Sequence, residues 1–235
     1  MRNPEPRPDR SPVGAALSVR GLGKSFSGRT VLRQLDLDVA TGEIVAVSGP
    51  SGIGKTTLLR LISGAESADT GTIEIAGRIM LDDRIDLGTT KRPVASVAQG
   101  APLLEDRNVS TNVAFGLPRR ERNRRIGAAR VAEMFDLLEM PTALADRRPA
   151  ELSVSERQRV AVACALVGGP ALMLLDEPFY AFDPQTRARI RAELGRVLRA
   201  AGTATVLVSH HASDLAELAD RRFRLHDGRL QTPEA

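Results

Sequence analysis

The chain has 235 residues, 42% of them hydrophobic, and a formal net charge of +4, which supports one sizeable core with room for a subdomain. Aromatic residues make up only 3%, with no Trp and one Tyr, so a stacking platform for single-stranded nucleic acid is not expected. The single cysteine, Cys164, excludes an internal disulfide framework and a multi-cysteine metal site, and no apolar run reaches the 18 residues of a membrane helix. With no basic-then-apolar leader at its start, the chain is expected to be cytosolic.

In chain order, residues 1–14 place Pro4, Pro6, Pro8 and Pro12 among charges and read as a disordered tail. Residues 17–19, 34–39 and 72–75 alternate apolar and polar side chains, the pattern of half-buried strands. Residues 44–47 form a short apolar run suited to a buried strand. It leads into Gly49-Pro50-Ser51-Gly52-Ile53-Gly54-Lys55-Thr56-Thr57. This run fits the phosphate-binding pattern G-x-x-x-x-G-K-[ST] through Gly49, Gly54, Lys55 and Thr56. Leu58, Leu59, Leu61 and Ile62 follow at a spacing that predicts a helix packed on the strand. The glycines allow main-chain N–H groups to curl around an anion, and the helix N-terminus adds partial positive charge. Lys55 supplies a full charge for the β- and γ-phosphates, and the Thr56 hydroxyl is placed to hold Mg²⁺.

Further along, Val94–Val97 reads as another strand, and residues 109–166 turn helical in pattern, broken at Pro141 and Pro149. Met134, Leu137 and Leu138 share one face of this stretch. Arg119, Arg120, Arg122, Arg124, Arg125 and Arg130 crowd together, but Glu121 interrupts them, so a solvated helix face is favoured over an anionic partner. Residues 171–175 and 205–208 are apolar strands, and residues 186–200 and 213–219 are helical. Strands alternating with helices imply a mostly parallel sheet covered on both faces. The strand ending at Leu175 feeds into Asp176-Glu177-Pro178. In a parallel sheet, two carboxylates there stand where ligands bind. Asp176 can orient Mg²⁺, and Glu177 can polarise an attacking water.

Over residues 17–230 the chain resembles the nucleotide-binding subunit of an ABC transporter. Phe26 is similar to the aromatic that stacks on adenine. Gln99 resembles the glutamine that links Mg²⁺ to the membrane partner. Leu152-Ser153-Val154-Ser155-Glu156 occupies the place of the family's signature, Tyr180-Ala181-Phe182-Asp183 that of the loop crossing the dimer interface, and His210 that of the histidine contacting the γ-phosphate. The resemblance implies a P-loop NTPase of α/β class, with a RecA-like parallel core, a small antiparallel β subdomain and an inserted α-helical subdomain. Residues 15–235 would form one ABC ATPase domain, with the helical subdomain at about residues 100–165. It implies ATP and Mg²⁺ as cofactors, with Glu177, His210 and Gln99 catalytic. Phe26, residues 49–57, Asp176, Ser153 and Ser155 would bind nucleotide, and Thr56, Gln99 and Asp176 the metal. It implies work at the inner face of the cell membrane with permease subunits, a second ATPase subunit and, through the permease, a solute-binding protein. Nucleic acid is not an expected partner.

Phe179 after Pro178, Lys91-Arg92-Pro93-Val94 and Asn112-Val113-Ala114-Phe115-Gly116-Leu117 resemble the importer branch, nearest to thiamine-, iron-, molybdate- and sulfonate-type cassettes. The signature departs from the family, because Val154 and Ser155 stand where glycines are usual. Glycine permits close approach to a phosphate across a dimer, whereas Val154 adds a β-branched side chain. The expectation is good ATP binding with a weakened signature, hence slow hydrolysis as a homodimer. Cys164, Ala98, Tyr180, Phe182 and His211 are milder departures. The alternative is a soluble or regulatory ABC-type ATPase with weak hydrolysis, not coupled to import.

Overall fold

The computed structural model describes residues 14–97, 103–122, 125–179, 183–210 and 215–232. In chain order the strands are β1 (Ala15–Phe26), β2 (Arg29–Ala40), β3 (Ile44–Ser48), β4 (Thr70–Ile75), β5 (Arg78–Leu81), β6 (Val94–Val97), β7 (Leu172–Asp176), β8 (Ala204–Ser209), β9 (Arg221–His226) and β10 (Arg229–Gln231). The helices are α1 (Lys55–Ser63), α2 (Val109–Phe115), α3 (Arg125–Leu137), α4 (Val154–Leu166) and α5 (Pro184–Ala201).

Strands β1 and β2 join in an antiparallel hairpin whose turn residues, Ser27 and Gly28, both have positive φ (46° and 80°). That backbone twist matches the natural twist of two paired strands. With β4 and β5 they make a four-stranded antiparallel sheet of order β2-β1-β4-β5. One of its faces is buried through Leu17, Val19, Leu35, Leu37, Ile73 and Ile75.

The second sheet has six strands in the order β10-β9-β3-β8-β7-β6. β9, β3, β8, β7 and β6 run parallel, and β10 folds back antiparallel on β9. β3, β7 and β8 are buried almost throughout, as strands covered on both faces must be. Their alternating side chains feed two cores. Val45, Val47, Leu172, Leu174, Val206 and Val208 join the layer made with α1 and the antiparallel sheet. Ile44, Ala46, Met173, Leu175 and Leu207 join the layer made with α2 to α5.

Three helices, α2, α3 and α4, intervene between β6 and β7. α2 is capped by Asn108, whose side chain accepts from the Thr111 N–H at 2.9 Å. Asn112, almost fully buried, accepts from the Leu104 N–H (2.7 Å), and the two hydrogens of its Nδ2 are shared among three nearby carbonyls, of Leu104, Arg107 and Asn108. It therefore ties that loop to the helix. On α3 the face that packs inward is centred on Val131 and Phe135, continuing to Leu138, with Met134 and Leu137 only partly buried at its margin. The predicted face is rotated by about one residue. Three strands went unpredicted, β5, β9 and β10. Arginines at 221, 222 and 224 obscure the apolar face that β9 makes with Phe223 and Leu225. The predicted tail, residues 1–14, lies outside the described residues except for Gly14. No helix among the described residues is long and apolar enough to cross a membrane.

Candidate active site

The site is built at the C-terminal ends of three neighbouring parallel strands, β3, β8 and β7. β3 ends at Ser48, whose hydroxyl donates to the Phe223 carbonyl at 3.1 Å. The loop that follows depends on backbone shapes that L-residues rarely adopt. Gly52 has φ 76° with open space around its missing Cβ, and Gly54 has φ 116° with Val31 Cγ1 only 2.7 Å from where a Cβ would stand. A side chain at Gly54 would push the loop off β2. α1 begins directly after it with no side-chain cap and no acid in its first turn. Among the described residues no carboxylate hydrogen-bonds to its leading N–H groups, which suit an anion.

The far end of α1 is held by Arg92. Its guanidinium, fully buried, donates to the carbonyls of Leu61 (2.7 Å), Ile62 (2.9 Å) and Leu87 (2.5 Å) and to Asp86 Oδ1 (3.1 Å). Burial draws its pKa below the ordinary arginine value, and Asp86 opposes that pull. Arg92 thereby satisfies last-turn carbonyls that would otherwise lack donors.

Lys55 is only 6% exposed. Its ammonium donates to the carbonyls of Gly49 (2.7 Å) and Pro50 (3.0 Å) and lies 3.9 Å from Glu177 Oε1. The cation is therefore seated inside the loop. Asp176 ends β7, and burial pushes its carboxyl above the usual carboxylate range, with the Thr56 hydroxyl hydrogen bond working the other way. Glu177 follows in a left-handed conformation, φ 47°. Its N–H donates to the Val208 carbonyl at 3.0 Å, and its Oε2 is 2.9 Å from His210 Nδ1. Residues from the ends of all three strands thus converge on one point.

Two cavities flank the loop. One, of ≈ 440 Å³, is lined by Thr56, Arg60, Ser96, Leu174 and Asp176. The other, of ≈ 460 Å³, is lined by Gly49, Pro50 and His210 among others. Ser51 and Gly52 are exposed on the loop crest, and Ile53 and Thr57 are partly buried. Phe26, 42% exposed, stands on the hairpin whose second strand supports Gly54, and its ring lies 4.9 Å from the Lys24 ammonium.

The predicted signature is built separately. Ser153 caps α4 in a reciprocal box. Its Oγ accepts from the Glu156 N–H (3.3 Å), and Glu156 Oε2 accepts from both the Ser153 N–H and hydroxyl (2.7 Å each). These donors hold the Glu156 carboxyl below its ordinary pKa. Val154 is 57% exposed, while Ser155 is buried and lines a narrow apolar space with Leu138, Val162 and Ile190. Position two of this helix points into the packing against α5, so the Ser155 side chain is turned inward. Only its main-chain N–H remains at the helix tip. Among the described residues no hydrogen bond or ion pair joins Ser153 or Ser155 to the phosphate loop. Gln99, Ala98, residues 180–182 and His211 lie outside the described residues. Sequence reasoning missed the anchoring by Arg92, whose signal was a lone arginine ahead of a proline.

A parallel sheet that delivers a glycine-rich loop, a seated lysine and an Asp-Glu pair to one edge defines the P-loop NTPase class. The chain matches the ABC transporter family over residues 32–180 and belongs to that family, carrying its ATP-binding fold. It is 45% identical to an Fe(3+) ions import ATP-binding protein of Rhodococcus jostii, over 92% of this chain and 61% of that protein. It is 43% identical to a sulfate/thiosulfate import ATP-binding protein of Bordetella bronchiseptica, again over 92% and 61%. The chain thus spans less than two thirds of the length of these relatives. Among solved structures it superposes on cbiO1 of Clostridium perfringens, part of the ABC transporter complex cbiONQ. That match has a TM-score of 0.79 at 25% identity, covering 93% of this chain and 87% of the other.

Proposed function

We propose that this chain is the ATP-hydrolysing subunit of an ABC importer, acting on a separate permease to move a small solute across the cell membrane. The observation that carries the reading is the convergence of Lys55, Glu177 and His210 on the end of the phosphate loop. Lys55 and the leading N–H groups of α1 would bind the β- and γ-phosphates, and Phe26 would stack on adenine. Glu177, held by His210, would draw the proton of the attacking water. The donor set fits Mg²⁺. Thr56 and Asp176 line the same cavity, and a cation would relieve the buried charge of Asp176. Mg²⁺ typically takes few protein ligands and keeps its waters. Bound there it would neutralise phosphate charge. Gln99 would join that set.

The relatives named for Fe(3+) and for sulfate or thiosulfate import support import over export. The reading has residues 15–235 as one domain, with the helical part at about 100–165 facing the permease at the inner membrane surface and a solute-binding protein engaged through the permease. A second ATPase subunit would supply its signature, Ser153 and the Ser155 N–H, to the nucleotide. A second reading, a regulatory subunit with weak hydrolysis, draws on Val154 and the inward Ser155. One set of measurements tests both. Lys55→Ala is expected to abolish Mg-ATP binding by calorimetry. Slow basal turnover that is raised by a partner cassette favours the first reading, and wild-type protein that binds no Mg-ATP refutes both.

A further inference from the structure

We propose that the cavity behind the phosphate loop is a second anion site, for a small organic anion carrying at least two negative charges. The site is made by Arg222 and Arg224. These residues sit two apart on β9, so their side chains leave the same face of the sheet, roughly 6.6 Å apart at the backbone. Both line the ≈ 460 Å³ cavity together with Gly49, Pro50, His210 and Leu215. No carboxylate lines it among the described residues.

The neighbouring arginine shows what is unusual here. Arg221, on the opposite face of β9, is paired with Glu43 at 3.1 Å, donates to the Asp38 carbonyl, and stacks on Phe223. The side chains of Arg222 and Arg224 make no hydrogen bond or ion pair among the described residues. Two like charges at this spacing repel one another, and a shared dianion relieves that repulsion with charge-assisted, two-pronged hydrogen bonds. The strand register puts Arg224 beside Ser48, the residue just before Gly49. The volume exceeds that of a bare phosphate and falls in the range of small-molecule pockets, and Leu215 gives it an apolar wall. A phosphate ester suits this set of groups.

The coupling to nucleotide rests on the reading of Lys55 and His210 given above; the anion site itself does not. An anion bound here lies against the same loop and histidine that would meet the triphosphate, so it repels that charge and the two ligands weaken each other reciprocally. The test is calorimetric titration of the wild type with glycerol phosphate and, in parallel, inorganic phosphate, at pH 7.5 and chloride-balanced ionic strength. Binding of glycerol phosphate is expected, weakened at least tenfold in R222A/R224A, partly restored in R222K/R224K and kept in Lys55→Ala. Tighter binding of bare phosphate than of the ester would overturn the assignment to an organic ligand. Binding that is lost in Lys55→Ala but kept in R222A/R224A would locate the anion in the phosphate loop and sink the proposal, as would no binding to the wild type. If the double variant does not fold, R222Q and R224Q singly answer the same question. Saturating glycerol phosphate is further expected to weaken Mg-ATP binding about fivefold in the wild type and not in R222A/R224A. Absence of Mg-ATP binding altogether would count against the nucleotide reading and leave the anion result standing by itself.

Discussion

Glu177 carries a cost to the fold that its proposed role as base would explain. Its φ of 47° lies in the left-handed region, where an L-residue is strained by about 1–2 kcal/mol relative to the right-handed forms. Glycine escapes that strain but loses about 0.5–1 kcal/mol more on folding through the freedom of its unfolded chain. Taking the midpoints of these two ranges, Glu177→Gly is therefore expected to be more stable than Glu177→Ala by about 0.75 kcal/mol, or roughly 1.5–3 °C in Tm for a chain of this size. Both variants remove the Oε2 contact to His210 and the Oε1 contact to Lys55, so those losses cancel in the comparison. Turnover follows the opposite logic. Glycine, alanine and the isosteric Glu177→Gln all lack the carboxylate and are expected to lose about 10²–10⁴-fold in rate, the usual worth of a positioned base. Nucleotide binding by Glu177→Gln should be retained. Calorimetric melting and a phosphate-release assay read the two effects separately. The reasoning fails if alanine is as stable as glycine, because the strain is then absent, or if Glu177→Gln hydrolyses ATP at the wild-type rate, because the base is then elsewhere.

Val154→Gly removes an exposed side chain from the tip of α4 at a cost of no more than about 1 kcal/mol in helix propensity. It should raise homodimer turnover about tenfold or more if one N–H to an anion is regained, and unaltered turnover would clear Val154 of blame. Asp176→Asn should stabilise the metal-free protein while weakening Mg-ATP binding. Burial raises the Asp176 pKa in the folded state, so the fold holds more protons than the unfolded chain between the two pKa values, and stability contributed by this group falls as pH rises through that window. The Tm gap between variant and wild type should accordingly shrink as the solution is acidified below the folded pKa. Burial also pushes the Cys164 thiol up to about 12. At pH 8 its thiolate fraction is then about one in ten thousand, against roughly a quarter for a free thiol. Iodoacetamide should label it readily only after denaturant is added, and rapid labelling of the native protein would contradict the raised pKa of this partly buried thiol.

The phosphate loop, the β3–α1 unit and the Asp-Glu pair at the end of β7 could be read from the chain itself. Each is a local arrangement, a continuous apolar run beside glycines or acids whose spacing states the chemistry. The family resemblance added His210 and the signature as candidates. Tertiary structure decided what local pattern cannot encode. A helix tip turns Ser155 inward and leaves Val154 outside, because the direction of each side chain depends on which face of α4 packs against α5. Arg92 reads as one charge among many until the fold lays it across the end of α1. β9 reads as a run of arginines until β3 pairs with it, buries Leu225 on one face and sets Arg222 and Arg224 side by side on the other. Contacts between residues far apart in the chain arise only when strands are stacked in a particular order, and that order is a property of the whole packed core.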